Sequence, residues 1–349
     1  MKRFFMPAIG GLVGLIALAL VYFGNPPNMG ICVACFLRDT AGALGLHGAG
    51  VVQYLRPEIV GILLGVLILS LIRGEFSARG GSAPFTRFIL GFALMVGALI
   101  FLGCPLRMVL RIAGGDLNGL VGLLGFVTGI LCGVFFLKKG YALQRTSETA
   151  RSDGYLLPIV VVVLLGLMLV VPTIFKSSAT GPGSMHAPLW IALGAGLVIG
   201  AIGFFSRLCF VGSIRDAVLF KKFYMLSAII SLIVVVAAGN IILGKFQLGF
   251  AEQPIAHNNH LWNFLGLSMV GLCSVLLGGC PFRQLILAGS GNSDSGITIV
   301  GMIAGGAMAH NFGMASSAAG VTQNGKIGFA VMAVVVLFIA AYNTFGRKK

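Results

Sequence analysis

Long apolar runs are the feature of this sequence that most limits how the chain can fold. Runs of about 20 residues, the length at which a helix crosses a bilayer, recur along the whole chain. Because every backbone N–H and C=O group needs a partner where water is absent, such runs are expected to form helices. The sequence therefore predicts an all-α polytopic membrane protein.

The apolar runs divide the chain into ten predicted transmembrane spans. These are 5–24, 58–73, 85–103, 119–137, 155–176, 189–206, 223–243, 261–279, 297–315 and 327–345. Four weakly apolar segments between the spans are too short or too polar to cross the bilayer. We expect these four segments to be re-entrant half-helices: 31–50, 104–116, 207–220 and 280–292.

Composition excludes two other classes of protein. Charged residues are 9% of the chain and hydrophobic residues 58%, whereas a soluble domain carries about 25% charged residues. The net charge of +15 does not indicate nucleic-acid binding, because the basic residues lie mostly in short segments between apolar runs. Its 52 glycines are typical of closely packed membrane helices.

The basic residues predict an orientation in a bacterial-type inner membrane. With ten spans, basic segments such as Lys138-Lys139, Lys221-Lys222 and Arg347-Lys348-Lys349 all fall on one side. The loop 177–188, on the opposite side, has no Lys or Arg. Since positive residues favour the cytoplasmic side, both termini are expected in the cytoplasm.

Two motifs occur once in each half of the chain. Segments 32–39 and 209–216 share a Cys, an Arg and an Asp at equal spacing, and segments 103–107 and 279–283 both read Gly-Cys-Pro-x-Arg. We expect two repeats in one integrated membrane domain, 1–176 and 177–349. Because each repeat has five spans, an odd number, the second is predicted to be inverted relative to the first. The cysteines of the first half would then be approached from outside, and those of the second half from inside.

The Gly-Cys-Pro-x-Arg motif is suited to binding an anion. Gly ends one helix and Pro fits the first position of the next, so Cys104 and Cys280 are expected to cap short helices. The free N–H groups and the positive dipole end of such a helix attract negative charge. Arg107 and Arg283 lie one helical turn further on, on a similar face.

Arg38 and Arg215 allow two interpretations, because each is followed by an Asp. A charge inside a membrane segment is costly and often functional. The neighbouring Asp39 or Asp216 could instead form a structural ion pair that holds the segment in place.

The residue types predict a small anion of soft character as the ligand. Arginine alone would suit sulfate or phosphate, whereas a repeated cysteine adds a polarizable sulfur and a weak S–H donor. This favours a thiosulfate-like sulfur species or a selenium analogue. The relay residues predicted on this basis are Cys32, Cys104, Cys209, Cys280, Arg107 and Arg283.

The other chemically active side chains carry weaker predictions. Cys35 forms a C-x-x-C with Cys32, a common redox signature, and Cys273 is as consistent with packing as with a relay. Cys132 is predicted to be a packing residue. His257 and His260 suggest at most a weak metal site. No cofactor, resident metal or catalytic residue is predicted.

At these motifs the sequence resembles the YeeE/YedE family of membrane proteins. The resemblance extends over essentially the whole chain and includes Arg207-Leu-Cys209. It implies a permease for sulfur compounds in which Cys104, Cys209 and Cys280 pass the anion along by S–H···S contacts, with Cys32 as a further member. The run from Ala113 to Asp116 is most similar to the YedE branch, which implies a link to selenium metabolism.

Two further hypotheses compete with a transporter. The protein could be a membrane thiol-disulfide or electron-transfer protein that uses Cys32 and Cys35. It could also hand sulfur or selenium to a cytosolic carrier protein. The repeat favours transport, because Gly212 occupies the second-half position that corresponds to Cys35.

Overall fold

The structure is a computed structural model that describes residues 2–346, most of which lie in helices. The fourteen α-helices of this part of the chain are α1 (Lys2–Tyr22), α2 (Val33–Ala43), α3 (Pro57–Ile72), α4 (Pro84–Phe101), α5 (Pro105–Ala113), α6 (Leu117–Lys138), α7 (Arg151–Val170), α8 (Leu189–Ser206), α9 (Phe210–Phe220), α10 (Tyr224–Ile242), α11 (His260–Leu277), α12 (Pro281–Gly289), α13 (Ser293–Asn311) and α14 (Gln323–Ala341). Two short strands, β1 (Arg79–Gly80) and β2 (Ser147–Glu148), pair antiparallel. The basic cluster 347–349 lies outside the described residues.

The ten predicted spans correspond to the ten long helices, and the four predicted short segments contain α2, α5, α9 and α12. Within residues 2–346, eight segments are long and apolar enough to cross a membrane. They include every long helix except α3 and α13. Helix α3 has 16 residues, short of the roughly 20 needed. Helix α13 begins with Ser293 and Asp294 and packs against α4, α2 and α12, so it need not be apolar on all sides.

Several predicted span boundaries were wrong. The fifth span was expected to end at 176, but α7 ends at Val170 and a 3₁₀ turn, Pro172–Ile174, follows. The ninth and tenth spans begin earlier than predicted, because the side chains of Asn292 and Thr322 cap α13 and α14. Polar first turns of this kind are invisible to a search for apolar runs.

Four pairs of long helices each combine one helix from the first half with one from the second half. Helix α1 packs on α10 and α3 on α8, while α4 packs on α13 and α6 on α11. If α1–α7 are matched in order to α8–α14, each of these contacts maps onto its counterpart. Helices α4 and α11, which correspond to each other, also pack together. The inversion of the second half relative to the membrane stays a prediction.

Glycines allow the paired helices to approach closely. A Cβ atom at Gly129 of α6 would lie 1.9 Å from the carbonyl oxygen of Ser268 on α11. At the corresponding contact, a Cβ atom at Gly305 of α13 would lie 2.7 Å from the carbonyl oxygen of Phe92 on α4. Both distances are too short for a side chain, so only glycine permits this backbone contact.

The outer helices expose apolar side chains. In the most apolar part of α7, and likewise in that of α14, 17% of the residues are buried inside the protein. Leu156 of α7 and Val334 of α14 are more than 60% exposed. Such continuous apolar surfaces are stable in lipid rather than in water. The chain is therefore a multi-pass membrane protein.

Candidate functional site

The first-half cysteines meet where two short helices begin. Cys32 is the N-cap of α2 and Cys104 is the N-cap of α5. Their sulfur atoms are 3.8 Å apart, and both side chains are buried. The N–H of Cys35 donates to the Cys32 sulfur over 3.3 Å. Two helix N-termini thus converge on one pair of thiols.

The second-half cysteines repeat this arrangement. Cys209 is the N-cap of α9 and Cys280 is the N-cap of α12. Their sulfur atoms are also 3.8 Å apart, and the N–H of Gly212 donates to the Cys209 sulfur over 3.3 Å. Both cysteines are buried. We call Cys32 with Cys104, and Cys209 with Cys280, the two thiol pairs.

A break in the preceding long helix places the second cysteine of each pair. Helix α4 ends in the left-handed conformation at Leu102, with φ 64°, and α11 ends in it at Gly278, with φ 81°. The chain then turns, and Pro105 or Pro281 starts the new helix, as the motif predicts. Each thiol pair thus lies at positive dipole ends, where a polarizable S–H group can contact an anion.

Arg107 lies beside the first thiol pair, and its guanidinium group is hydrogen-bonded to other groups of the protein. The side chain is fully buried. It donates to the carbonyl oxygens of Asn28 (3.4 Å), Leu102 and Ile255 (3.1 Å). It also donates to the Cys35 sulfur over 3.6 Å. In this conformation Arg107 fixes the backbone around the thiols.

Arg283, its counterpart in the second half, is in a different environment. Its side chain is partly exposed and lines a pocket of about 160 Å³ together with Arg207. Gly279, which precedes Cys280, lies against the aliphatic part of Arg283. The structure thus places both motif arginines near their thiol pairs, one enclosed and one open.

Arg38 and Arg215 both form the ion pair that the sequence offered as one interpretation. Arg38 contacts Asp39 at 2.6 Å, and Arg56 contacts the other carboxylate oxygen of Asp39 at 2.7 Å; all three side chains are buried. Arg215 and Asp216 form a partly exposed pair at 2.9 Å. Because Arg56 also donates to carbonyl groups of the loop 177–188, the first of these clusters joins α2 to that loop.

The remaining cysteines differ in their relation to the thiol pairs. Cys35 lies next to the first pair, through its N–H and its contact with Arg107. Cys273 is buried in α11, and Cys132 is partly exposed on α6. All seven cysteines are free thiols in this structure.

Sequence reasoning missed three buried charges. Arg56 is the N-cap of α3 and lies outside every predicted segment, Glu58 is the first residue of the predicted second span, and Arg111 lies within α5. Arg111 contacts Asp116 at 2.5 Å and stacks on Phe101. A signal was available for Arg111, because it follows Arg107 by one helical turn and therefore shares its face.

The two histidines considered as a metal site contact the protein itself, His257 through the backbone and His260 through an aromatic ring. His257 accepts from the N–H of Asn259 at Nδ1, over 3.2 Å, and its Nε2 lies 2.7 Å from the carbonyl oxygen of Ile100. His260 packs edge-on against Phe250. Among residues 2–346 no group of three or more His, Cys, Asp or Glu side chains could hold a metal ion.

The fold and the thiol pairs define a class: a polytopic helical membrane protein with buried thiols at helix breaks. Residues 205–345 of the chain match the family described as sulphur transport. This stretch contains the second thiol pair and Arg283. No curated protein matches the chain. The family match together with the apolar helical fold points to a membrane transporter rather than to an enzyme.

Proposed function

We propose that this protein imports a small sulfur-containing anion, such as thiosulfate, across the inner membrane. The observation that carries the proposal is the presence of two thiol pairs with the same geometry, one in each half. Both pairs lie at helix N-termini, which favour negative charge. A neutral thiol contacts the terminal sulfur of a dianion without the repulsion that a thiolate would exert.

In this mechanism each thiol pair is a station for the anion on an hourglass-shaped path. Cys32 and Cys104 receive the anion on one side of the bilayer, and Cys209 and Cys280 release it on the other. Because each thiol is only a weak hydrogen-bond donor, the anion is held loosely enough to move on. Arg107 and Arg283 supply positive charge beside the two stations. The ion pair of Arg38 with Asp39 is joined through Arg56 to the loop 177–188 and holds α2 in place, whereas Arg215 and Asp216 pair within α9.

The inverted repeat gives this path its direction. We propose that 1–176 and 177–349 are repeats of opposite orientation, with the first thiol pair facing outside and both termini in the cytoplasm. The helix contacts between the two halves come in equivalent pairs, which supports this arrangement. So does the repetition of the two cysteine caps.

A thiol-disulfide protein that uses Cys32 and Cys35 is the second candidate. The C-x-x-C segment and the contact of Cys35 with Arg107 favour it. Against it stands the pairing of Cys32 with Cys104, which the second half repeats without any counterpart of Cys35. Delivery of the anion to a cytosolic carrier is compatible with import and differs only in how the anion is released. The YedE resemblance would make selenium species a further cargo.

Uptake of labelled thiosulfate, and separately of labelled selenite, tests the proposal in cells that lack other importers. We expect thiosulfate to enter cells that express the protein. Cys104→Ala combined with Cys280→Ala removes one thiol from each pair and should lower uptake at least about tenfold. The matched control is Cys132→Ala, which changes a cysteine outside both pairs and should leave uptake unchanged.

The cysteine variants also separate the two candidates. Import through the thiol pairs predicts that Cys280→Ala lowers uptake more than Cys35→Ala does. The redox candidate would prevail if only Cys32 and Cys35 were needed and a disulfide cycled between them. Entry of selenite alone would support the selenium branch instead of thiosulfate.

A further inference from the structure

The arginines of the two Gly-Cys-Pro-x-Arg motifs differ in whether the protein binds their guanidinium groups. The carbonyl oxygens of Asn28, Leu102 and Ile255 accept from Arg107. Across residues 2–346, no hydrogen bond or ion pair is formed by the Arg283 side chain. One repeat thus encloses its cation, whereas the other leaves it unpaired.

The residue after each arginine also differs between the two motifs. In the first motif this residue is Met108, whereas in the second it is Gln284, which is fully buried. The Gln284 amide donates to the carbonyl oxygens of Leu277 (3.4 Å) and Gly279 (3.2 Å), which lie at the helix break. A buried carbonyl needs a donor, and here a glutamine supplies it. Arg283 itself donates to neither of these carbonyl groups.

Arg283 shares its pocket with a second unpaired arginine. Arg207 ends α8 in the left-handed conformation, with φ 55°, two residues before Cys209. Arg207 is exposed, and it also forms no hydrogen bond or ion pair within the described part of the chain. The pocket of about 160 Å³ is lined by Glu75, Phe204, Arg207, Arg283, Ile286, Leu287 and Ser290; we call it the two-arginine pocket.

Charge and size define what this pocket can hold. Two arginines line it, while its one carboxylate, Glu75, is already paired with Arg73 at 2.7 Å. Guanidinium forks match the geometry of oxyanions. The volume is well below the roughly 300–1,000 Å³ typical of sites for drug-sized ligands. A small inorganic oxyanion therefore fits best.

We propose that the two-arginine pocket is a docking site for a divalent inorganic oxyanion at the mouth of the second thiol pair. The identity of the anion as a sulfur species rests on the proposed function, whereas the site itself rests on the unpaired arginines. The arginines of the pocket recognise the charge and the oxygen atoms of the anion, and the thiols of the second pair recognise its terminal sulfur. Sulfate and thiosulfate should accordingly bind in the pocket with similar affinity.

Direct binding measurements on the purified full-length protein test this site, with sulfate and thiosulfate as probes in isothermal titration calorimetry. The double variant Arg207→Gln, Arg283→Gln should raise the Kd for both anions about tenfold or more, because hydrogen bonds between charged groups are lost. The matched control is Lys221→Gln, Lys222→Gln, which removes the same charge from exposed residues outside the pocket. It should change the Kd less than about twofold.

A variant that is expected to bind more tightly controls for loss of binding through misfolding. Glu75→Gln removes the one carboxylate of the pocket and should lower the Kd for both anions several-fold, a result that a damaged protein would not give. The proposal is overturned if neither anion binds the wild-type protein, or if the double arginine variant binds both as tightly as the wild type.

Uptake measured in the same variants separates this site from the transport proposal. Anion binding that depends on both arginines, in a protein that does not import, would support the pocket and refute transport. If the double arginine variant leaves both anion binding and import unaffected, the result would support transport and refute the pocket.

Discussion

At the scale of single residues, cysteine stands at helix N-cap positions where serine or threonine is usual, and this changes the chemistry of the cap. The Cys32 and Cys209 sulfurs accept a backbone N–H as a hydroxyl oxygen would. A sulfur is larger and more polarizable, and it remains available to a second soft partner. That second partner is the thiol of Cys104 or Cys280 in this structure, and in the proposed mechanism it is the anion.

His257 shows how a loop residue becomes sensitive to acid. Because its Nδ1 accepts from the Asn259 N–H, its proton resides on Nε2, which donates to the Ile100 carbonyl. Burial lowers the pKa of His257 below the usual 6.5. Protonation would remove the acceptor and would place a charge in a buried site.

We therefore predict that the protein loses stability as the pH falls below about 6.5. In that range the unfolded histidine binds a proton and the folded one does not, so acid favours the unfolded state. The apparent Tm in detergent should be higher at pH 7.5 than at pH 5.5. In His257→Gln the difference between the two pH values should shrink by roughly 1–3 °C. An identical pH dependence in the variant would show that His257 does not contribute.

At the scale of elements, the paired long helices depend on glycine at the points where their backbones touch. Gly129 of α6 faces the Ser268 carbonyl of α11, whereas Gly166 of α7 has no atom within 4 Å of an added Cβ. The same substitution is thus expected to have opposite effects on the two helices. At one site a methyl group must displace a neighbouring backbone, and at the other it only improves helix propensity.

Gly129→Ala should destabilise the protein by about 1–3 kcal/mol through overpacking. Gly166→Ala should be neutral, or stabilising by up to about 1 kcal/mol, because alanine is the better helix former. Thermal unfolding of the two purified variants, compared at one detergent concentration, measures this difference. Equal Tm values would mean that α6 and α11 do not approach as closely as the structure indicates.

At the scale of the whole molecule, the order of the helices predicts which loops share a side of the membrane. Helix α7 alone separates the basic segment after α6 from the loop 177–188. These two segments must then lie on opposite sides if α7 crosses the bilayer. Lys138-Lys139 and Lys221-Lys222 are predicted to lie together on the cytoplasmic side.

Labelling single introduced cysteines in a cysteine-free variant with a membrane-impermeant maleimide tests this topology. We expect Ser184→Cys to react in intact cells, and Lys139→Cys and Lys222→Cys to react only after the membrane is opened. Reaction of Lys139→Cys in intact cells would refute the predicted orientation, in which this basic segment lies in the cytoplasm. The variant without cysteines is needed only for labelling, so its loss of uptake does not affect the result.

Local physical chemistry made much of this protein predictable from sequence. The ten long helices follow from runs of apolar residues, since a bilayer allows few other structures. The caps at Cys104 and Cys280 follow from Gly-Cys-Pro, since proline favours the first helical position. Span ends were predicted less well, because polar first turns such as that of α13 continue a helix beyond its apolar part.

Only the tertiary structure decided which groups meet. That Cys32 pairs with Cys104 depends on how α2 and α5 pack, and nothing in the C-x-x-C segment distinguishes that partner from Cys35. Equally, the repeated Gly-Cys-Pro-x-Arg motif predicted the same environment for Arg107 and for Arg283. The fold encloses Arg107 among carbonyl groups that accept from it. At the second helix break the donor is the Gln284 amide, and Arg283 is left open. Sequence determines which groups are available for bonding, whereas three-dimensional packing determines which of them are already used.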